Sequence, residues 1–293
     1  MYLRTGNQWH QVNDLSIPNR GEPFDLTRTY NSHSPNTGIF GRKWFSTWEE
    51  HLIFNTDGSV SLWRGDGGLR IFQPNGSGGF IHPVGWDVSL SNTGSQWIIR
   101  SPQGDERHFD LTGLLVQLKD RVGSHLDFGY FGGRLTSVQD GLGRQVQLSY
   151  GSDGFVQTIT DPISRMTTYS HDAQGNLIGV GYPGSRQAFY NYTGDSYMVE
   201  SKDPKYRKGL RHVFYTYDEF LRVVREEDGS HQPVLTVQYD SLLGNTRTTY
   251  AEFANGCSSC GGNNAEYDFD AGGVAIGGKD ANQNSFTYGH DGD

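Results

Sequence analysis

Gly133-Arg134-Leu135-Thr136-Ser137-Val138-Gln139-Asp140-Gly141-Leu142-Gly143-Arg144-Gln145-Val146-Gln147-Leu148-Ser149-Tyr150 is one phrase of a repeated text. Leu135 to Val138 is a short apolar unit. Asp140 to Arg144 carries the Asp and Gly of a tight turn. Val146, Leu148 and Tyr150 then alternate with Gln147 and Ser149, which gives a strand one apolar face. The next copy reads Phe155-Val156-Gln157-Thr158-Ile159, then Asp161-Pro162-Ile163-Ser164-Arg165, then Met166-Thr167-Thr168-Tyr169. Tyrosines close such phrases at 130, 150, 169, 192, 217 and 239. A period near twenty residues predicts a stacked array, because a unit of two short strands cannot bury its apolar face without neighbours.

Within the phrase, Asp and Arg four residues apart recur at Asp140/Arg144, Asp161/Arg165 and Asp203/Arg207. A catalytic pair has no need to recur in every copy, so this spacing reads as turn chemistry. The strands Leu126-Phe128-Tyr130, Val213-Tyr215-Tyr217 and Leu235-Val237-Tyr239 show the same alternation as residues 146–150.

Composition agrees. Only 34% of the 293 residues are hydrophobic but 13% are aromatic, so large flat side chains carry much of the burial. Glycine, at 40 residues, exceeds its usual share of about 7%, and 10 prolines without a collagen period indicate a turn-rich β protein. The net charge of -9 argues against nucleic acid as a partner, since phosphate binding needs a basic surface. No apolar run is long enough for a membrane helix, and no signal-peptide pattern opens the chain. The chain begins abruptly and stops at His290-Asp291-Gly292-Asp293, which reads as a piece of a longer protein.

Residues 1–110 form a first region that holds all 6 tryptophans. Residues 24–30 alternate; residues 52–54 and 60–63 face each other across the loop 55–59, a hairpin pattern. The rhythm of the repeats already starts near residue 95, so the boundary is soft. Residues 111–250 hold the repeats. Residues 251–293 hold a Cys-x-x-Cys loop and a degenerate copy, with Asp280 as its acidic position and Tyr288 as its tyrosine.

Residues 133–144, closing on Tyr150, resemble the tyrosine–aspartate (YD) repeats of bacterial RHS proteins and animal teneurins, whose pattern is G-x-L-x-x-V-x-D-x-x-G-R followed by tyrosine. Later copies depart from it: Tyr182 stands where the Asp is expected, and residues 227–231 lack the Arg. Residues 14–23 and 27–32 resemble the domain that precedes such repeats. Gly38-Ile39-Phe40-Gly41-Arg42-Lys43-Trp44 resembles its Gly-x-x-Gly-x-Gly-Trp element, with Lys43 replacing a glycine. The resemblance implies an all-β fold: an N-terminal β-sheet region continuing into YD-repeat hairpins wound as a spiral β-shell.

Candidate sites are few. Cys257 and Cys260, the only cysteines, could form a local disulfide or half of a metal site; a redox role would need a βαβ setting that is missing here. The 10 histidines show no telling spacing. Glu49 and Glu50 are adjacent, and on a strand they would point to opposite faces. Trp44, Trp48 and Trp63 are the best candidates for a ligand-binding, sugar-stacking surface. No cofactor is expected.

The resemblance implies a non-catalytic shell fragment that encapsulates and helps deliver a C-terminal effector or toxin lying beyond this chain. Its expected partners are that effector domain, secretion machinery and glycans, at a secreted or cell-surface location in bacteria. The alternative is a cell-surface carbohydrate-binding or adhesion module. An open stack exposes strand edges, so the isolated fragment is expected to aggregate unless the N-terminal region caps one end.

Overall fold

The computed structural model describes residues 4–19, 21–205, 209–239, 247–253, 264–270, 274–280 and 284–288. Among the described residues the regular elements are all β-strands, so the chain is all-β. It divides into two compact units, His10–Gln187 and, together, Met1–Trp9 with Ala188–Asp293.

The first unit contains a three-stranded sheet of Trp9–Ile17, Phe24–Asn31 and Trp44–Ser46, in that order. A four-stranded meander follows: His51–Phe54, Val60–Trp63, Leu69–Pro74 and Phe80–Ile81. Its first hairpin pairs Leu52 with Leu62 across the loop expected from the sequence. From Ser89–Asn92 to Leu177–Tyr182, each strand pairs antiparallel with the next in sequence. In the second unit the strands from Arg186–Tyr192 to Ser285–Thr287 do the same. Sequential pairing is what short repeats with tight turns permit, because two-strand units meet only their neighbours.

The alternation read in the sequence sets which face is covered. Val146 and Leu148 are buried while Gln147 and Ser149 are exposed, and Val138, Val156 and Ile159 join the same core. Burying such a side chain contributes about 1.5–3 kcal/mol, so each repeat gains several kcal/mol only once its neighbours are present.

Three devices recur. The first is a turn clasp. Asp140 accepts hydrogen bonds from the backbone N–H of Leu142 and Arg144 on Oδ1, and from Arg144 Nε at 2.8 Å on Oδ2. Gly143 supplies the left-handed backbone of the turn (φ 81°). The same clasp closes at Asp161/Arg165, Asp172/Asn176 and Asp218/Arg222. The second is a β-bulge in the following strand that faces an aromatic at or next to a strand's end, at Tyr130, Tyr150, Tyr192 and Tyr217. The third is a tyrosine tether. Tyr130 donates its hydroxyl to the carbonyl of Leu115, Tyr150 to Leu135 and Tyr217 to Met198, each at 2.8 Å, and Tyr239 to Val223 at 2.7 Å.

Three places bear on the sequence reading. Asp203 is not in a turn; it lies inside the strand Met198–Lys205 opposite Arg211 and accepts the Tyr190 hydroxyl at 2.6 Å. Its supposed partner, Arg207, lies outside the described residues. The bulge position of the third copy is His171, not Tyr169. Lys43 does keep the glycine-like turn, at φ 63°, and its Nζ donates to the carbonyls of Ser32 (2.8 Å) and Ser34 (3.0 Å). Those two bonds offset a left-handed cost of about 1–2 kcal/mol.

Tyr169 and Tyr182 have another task. Arg28 and Asp14, with side chains 0% and 1% exposed, form a two-pronged ion pair at 2.6 and 3.0 Å. Tyr169 and Tyr182 donate their hydroxyls to the same carboxylate at 2.9 and 2.8 Å. The guanidinium also lies 4.4 Å from the centre of the Trp44 ring. The departure from the repeat pattern at Tyr182 therefore completes a buried charge site that joins the N-terminal sheet to the repeats of this unit.

Candidate functional site

Beside that core lies a cavity of about 540 Å³, bordered by Trp48, Glu49, His51, Trp63, Tyr150 and Phe155 among others. Its floor is a short turn after the strand Trp44–Ser46. Ser46 accepts the backbone N–H of Trp48 on Oγ and that of Glu49 on its carbonyl. The turn drives the Glu49 side chain under residues 37–42. Glu49 Oε1 accepts the N–H of Ile39 at 2.6 Å. A side chain on Gly38 would meet the Trp44 carbonyl at 2.1 Å and Glu49 Oε1 at 3.0 Å, so only glycine fits there. Ile39 in turn accepts the N–H of Val156 at 2.8 Å, which seats the loop on the repeats.

Glu49 Oε2 is shielded from solvent and makes no hydrogen bond. Burial pushes this carboxyl up to about 8, against the opposing pull of the Ile39 amide and Ser46. At neutral pH it is therefore protonated, and it can donate as well as accept. Glu50 is also raised by burial, and Arg107 opposes this from 3.0 Å. The phenols of Tyr130 and Tyr150 are pushed above their ordinary range by burial. Arg134 stands 5.3 Å from the Tyr150 ring centre.

Two of the three tryptophans singled out in the sequence meet here. Trp63 is half-buried and stacks on His51 with ring centres 6.0 Å apart. Trp48 borders the cavity but is 1% exposed and packs edge-on against Phe128. Trp44 does not join them: it is 0% exposed, under the Arg28 guanidinium and against Tyr30. Glu49 and Glu50 also differ from expectation. They precede the strand His51–Phe54 rather than lying on it, and both border the cavity. The signal that marks Glu49 is the acidic pair directly after Trp48, which periodicity alone does not weigh.

Cys257 and Cys260 lie outside the described residues. Among the described residues, no group of three or more His, Cys, Asp or Glu is placed to hold a metal ion. Histidines serve local contacts: His171 donates from Nε2 to the Phe40 carbonyl, and His212 pairs with Glu200 at 2.6 Å. Among the described residues no helix is long and apolar enough to cross a membrane.

Comparison with known proteins places these features in a family. Residues 3–72 match a family model described as a domain of unknown function (DUF6531). Residues 150–187 match the RHS repeat. The tRNA nuclease WapA of Bacillus subtilis (strain 168) is 31% identical over 113 residues, which is 39% of this chain and 5% of that protein. The tRNA3(Ser)-specific nuclease WapA of Bacillus spizizenii aligns with the same identity and the same shares. The chain thus spans 5% of the length of these curated relatives. Among solved structures, the crystal structure of TcdB2-TccC3-TEV covers 94% of this chain and 19% of its own, at 13% identity and a TM-score of 0.37. TcdB2-TccC3 without its hypervariable C-terminal region covers 89% and 19%, at 7% identity and a TM-score of 0.32. Residues 150–187 are thus an RHS repeat, inside a ladder whose clasp, bulge and tyrosine tether recur, and this chain carries RHS/YD repeats.

Proposed function

We propose that this chain is a non-catalytic wall segment of an RHS-type shell. In this reading the shell encloses an effector carried further along the same protein and helps deliver it from the bacterium, at a secreted or cell-surface location. The observation that carries the reading is the use of the repeating polar groups. The aspartates are spent on backbone amides of their own turns, and the tyrosines on carbonyls of the preceding strand. Such repeats propagate a wall and build no reaction centre. The curated relatives are named as tRNA nucleases, which supports a toxin as the class of effector.

The test is the size and fate of the native protein. An antibody against this chain is used on blots of the source cells and their medium. The expected result is a band far above 32.7 kDa, with a separately released C-terminal piece. A single band near 32.7 kDa would overturn the reading. A second function, carbohydrate binding, is favoured by one observation: the cavity brings Trp48 and Trp63 beside Glu49.

A further inference from the structure

In the unit His10–Gln187 the ends of the repeat hairpins form a row. Each carries a left-handed glycine and, two residues later, an apolar residue that faces the end of the preceding strand. The pairs are Gly113 and Leu115, Gly133 and Leu135, Gly154 and Val156, and Gly175 and Leu177. The first, third and fourth ends bond the backbone of the N-terminal segment. Leu52 donates its N–H to the Gly113 carbonyl at 2.8 Å, Val156 donates to the Ile39 carbonyl at 2.8 Å, and Arg42 donates to the Gly175 carbonyl at 2.9 Å. Among the described residues, no N-terminal backbone group bonds Gly133 or Leu135.

The reason is local. Thr37 pairs with Arg42 in a tight hairpin, whose tip covers the third and fourth ends. The chain returns to the row only at His51, which bridges to Leu114 at the first end. The second end lies between them, on the wall of the cavity of about 540 Å³. A side chain on Gly113 would stand 2.2 Å from the Leu52 carbonyl, whereas one on Gly133 would meet nothing within 4 Å.

We propose that the edge Gly133–Leu135 receives an extended peptide from a partner protein, about three residues long, with an apolar side chain beside an acidic one.

Length follows from spacing. One copy is two strands wide, about 9.5 Å, and about three extended residues span that distance. Chemistry follows from the lining. Ile53, Leu114 and Phe155 offer apolar contact. Glu49 Oε2 belongs to the same cavity, is shielded from solvent and makes no hydrogen bond. Its protonated carboxyl can donate to a peptide carbonyl. Arg134 stands exposed at the rim, 5.3 Å from the Tyr150 ring centre, and has no acidic partner among the described residues. Glu50 is already held by Arg107 at 3.0 Å. The uncompensated charge at this edge is therefore positive, which favours an acidic side chain and repels a basic one. The neighbouring N-terminal residues are committed elsewhere. Lys43 donates its N–H to the Asn36 carbonyl and so closes residues 36–43, and the strand Trp44–Ser46 pairs with Phe24–Asn31.

The test is calorimetric titration of the whole chain at pH 7 with acetyl-Gly-Ile-Asp-Gly-amide and its versions with Val, Leu or Phe in place of Ile. Saturable binding of at least one, with Kd below about 5 mM, is expected. Lys in place of Asp in the tightest peptide should weaken it at least about fivefold. Arg134→Ala should weaken the Asp peptide about three- to fivefold and leave an Asn version within about twofold. N-methylation of the peptide backbone at each residue in turn should cost at least about fivefold at one position or more, because a backbone donor is lost there. Gly133→Asn tolerates the left-handed backbone, adds a side chain at the edge and should weaken binding at least about tenfold with the thermal midpoint unchanged. If that variant is less stable, the exposed Arg134→Ala still decides. The proposal falls if none of the four peptides saturates, if the Lys peptide binds as tightly as the Asp peptide, if every N-methylated peptide binds like its parent, or if Gly133→Asn binds like the native chain.

Discussion

Replacing Asp140 tests the turn clasp and supplies its own control. Asp140 is 2% exposed and holds two backbone amides, those of Leu142 and Arg144, on a single oxygen. Hydrogen bonds to a charged acceptor contribute about 1.5–3 kcal/mol each. The Leu142 amide sits at an exposed tip and can turn to water, so Asp140→Ala should cost about 2–3 kcal/mol. Asp140→Asn should cost less, because an amide oxygen can hold the same two amides. The chain already contains that substitution in another turn, where Asn75 Oδ1 accepts the N–H of Ser77 at 3.0 Å and of Gly79 at 2.9 Å. The asparagine loses only the carboxylate's charge and its contact with Arg144, whose side chain is 35% exposed. Screening reduces that contact to about 0.5–1 kcal/mol. Urea denaturation reports the difference, since Trp44, Trp48 and Trp63 lie in the same unit as Asp140. The two variants should differ by about 1–2 kcal/mol. The charge contribution has a defined pH window. Burial opposes ionisation of Asp140, but Arg144 and the two amides outweigh it, and the carboxyl lies below its ordinary 3.8. A depressed carboxyl stabilises the fold above its unfolded value and loses that contribution as pH falls through its folded value. The gap between native protein and Asp140→Asn should therefore be full above pH 3.8 and close in more acidic solution. Equal destabilisation by Ala and Asn, or a cost below about 0.5 kcal/mol for Ala, would refute the clasp as a source of stability.

Arg28→Met should cost about 3–5 kcal/mol by stranding the Asp14 carboxylate among Tyr169 and Tyr182, and adding Asp14→Asn should recover part of it. Thermal unfolding of the two singles and the double decides this, and simple additivity would sink it. Tyr150→Phe removes the donor to Leu135 and should lower stability by about 1–1.5 kcal/mol, read from the urea midpoint; no change would mean the tether is idle. Ser164→Gly should raise stability by about 0.5–1 kcal/mol, because Ser164 sits at φ 64° in a clasp whose counterpart at 143 is glycine. A loss of stability there would show that the serine side chain has a role in the turn.

The repeat was legible because its parts are local. An Asp, a left-handed residue and an alternating strand act within one turn, so residues 133–150 announce their own structure. What escaped depends on distant pairing. Nothing near Asp203 says that it lies in a strand facing Tyr190, and the Asp-x-x-x-Arg spacing alone misplaces it in a turn. Asp218 and Arg222 make the same clasp with Leu221 in the left-handed position instead of glycine, which hides them from a glycine search. Tyr182 looks like a failed repeat until Asp14 is placed beside it. The cavity was half legible. Tryptophans mark aromatic surface, but only the packing of residues 37–50 separates Trp63, at the cavity, from Trp44, under Arg28.

The bulges explain how an N-terminal segment and a repeat array hold together. A bulge puts two residues of one strand opposite one of its partner and interrupts the ladder there. Tyr150 is the single residue facing a bulge at Val156 and Gln157, and Val156 gives its N–H to Ile39. In the other unit Tyr217 faces a bulge at Val223 and Val224, and Val223 gives its N–H to Gly6 at 2.9 Å. These are equivalent positions in two copies, served by two different N-terminal residues. Neither contact reads a side chain, so neither leaves a mark in the sequence, yet each satisfies a backbone donor that the bulge withdraws from the sheet. The tyrosine tether acts at the same point: Tyr150 bonds the carbonyl of Leu135, and Tyr217 that of Met198. At Tyr150 and Tyr217 the aromatic residue that closes the phrase thus marks where the ladder is interrupted and where another segment is received. An array built this way can grow by copying one unit and still take specific backbone contacts at fixed intervals.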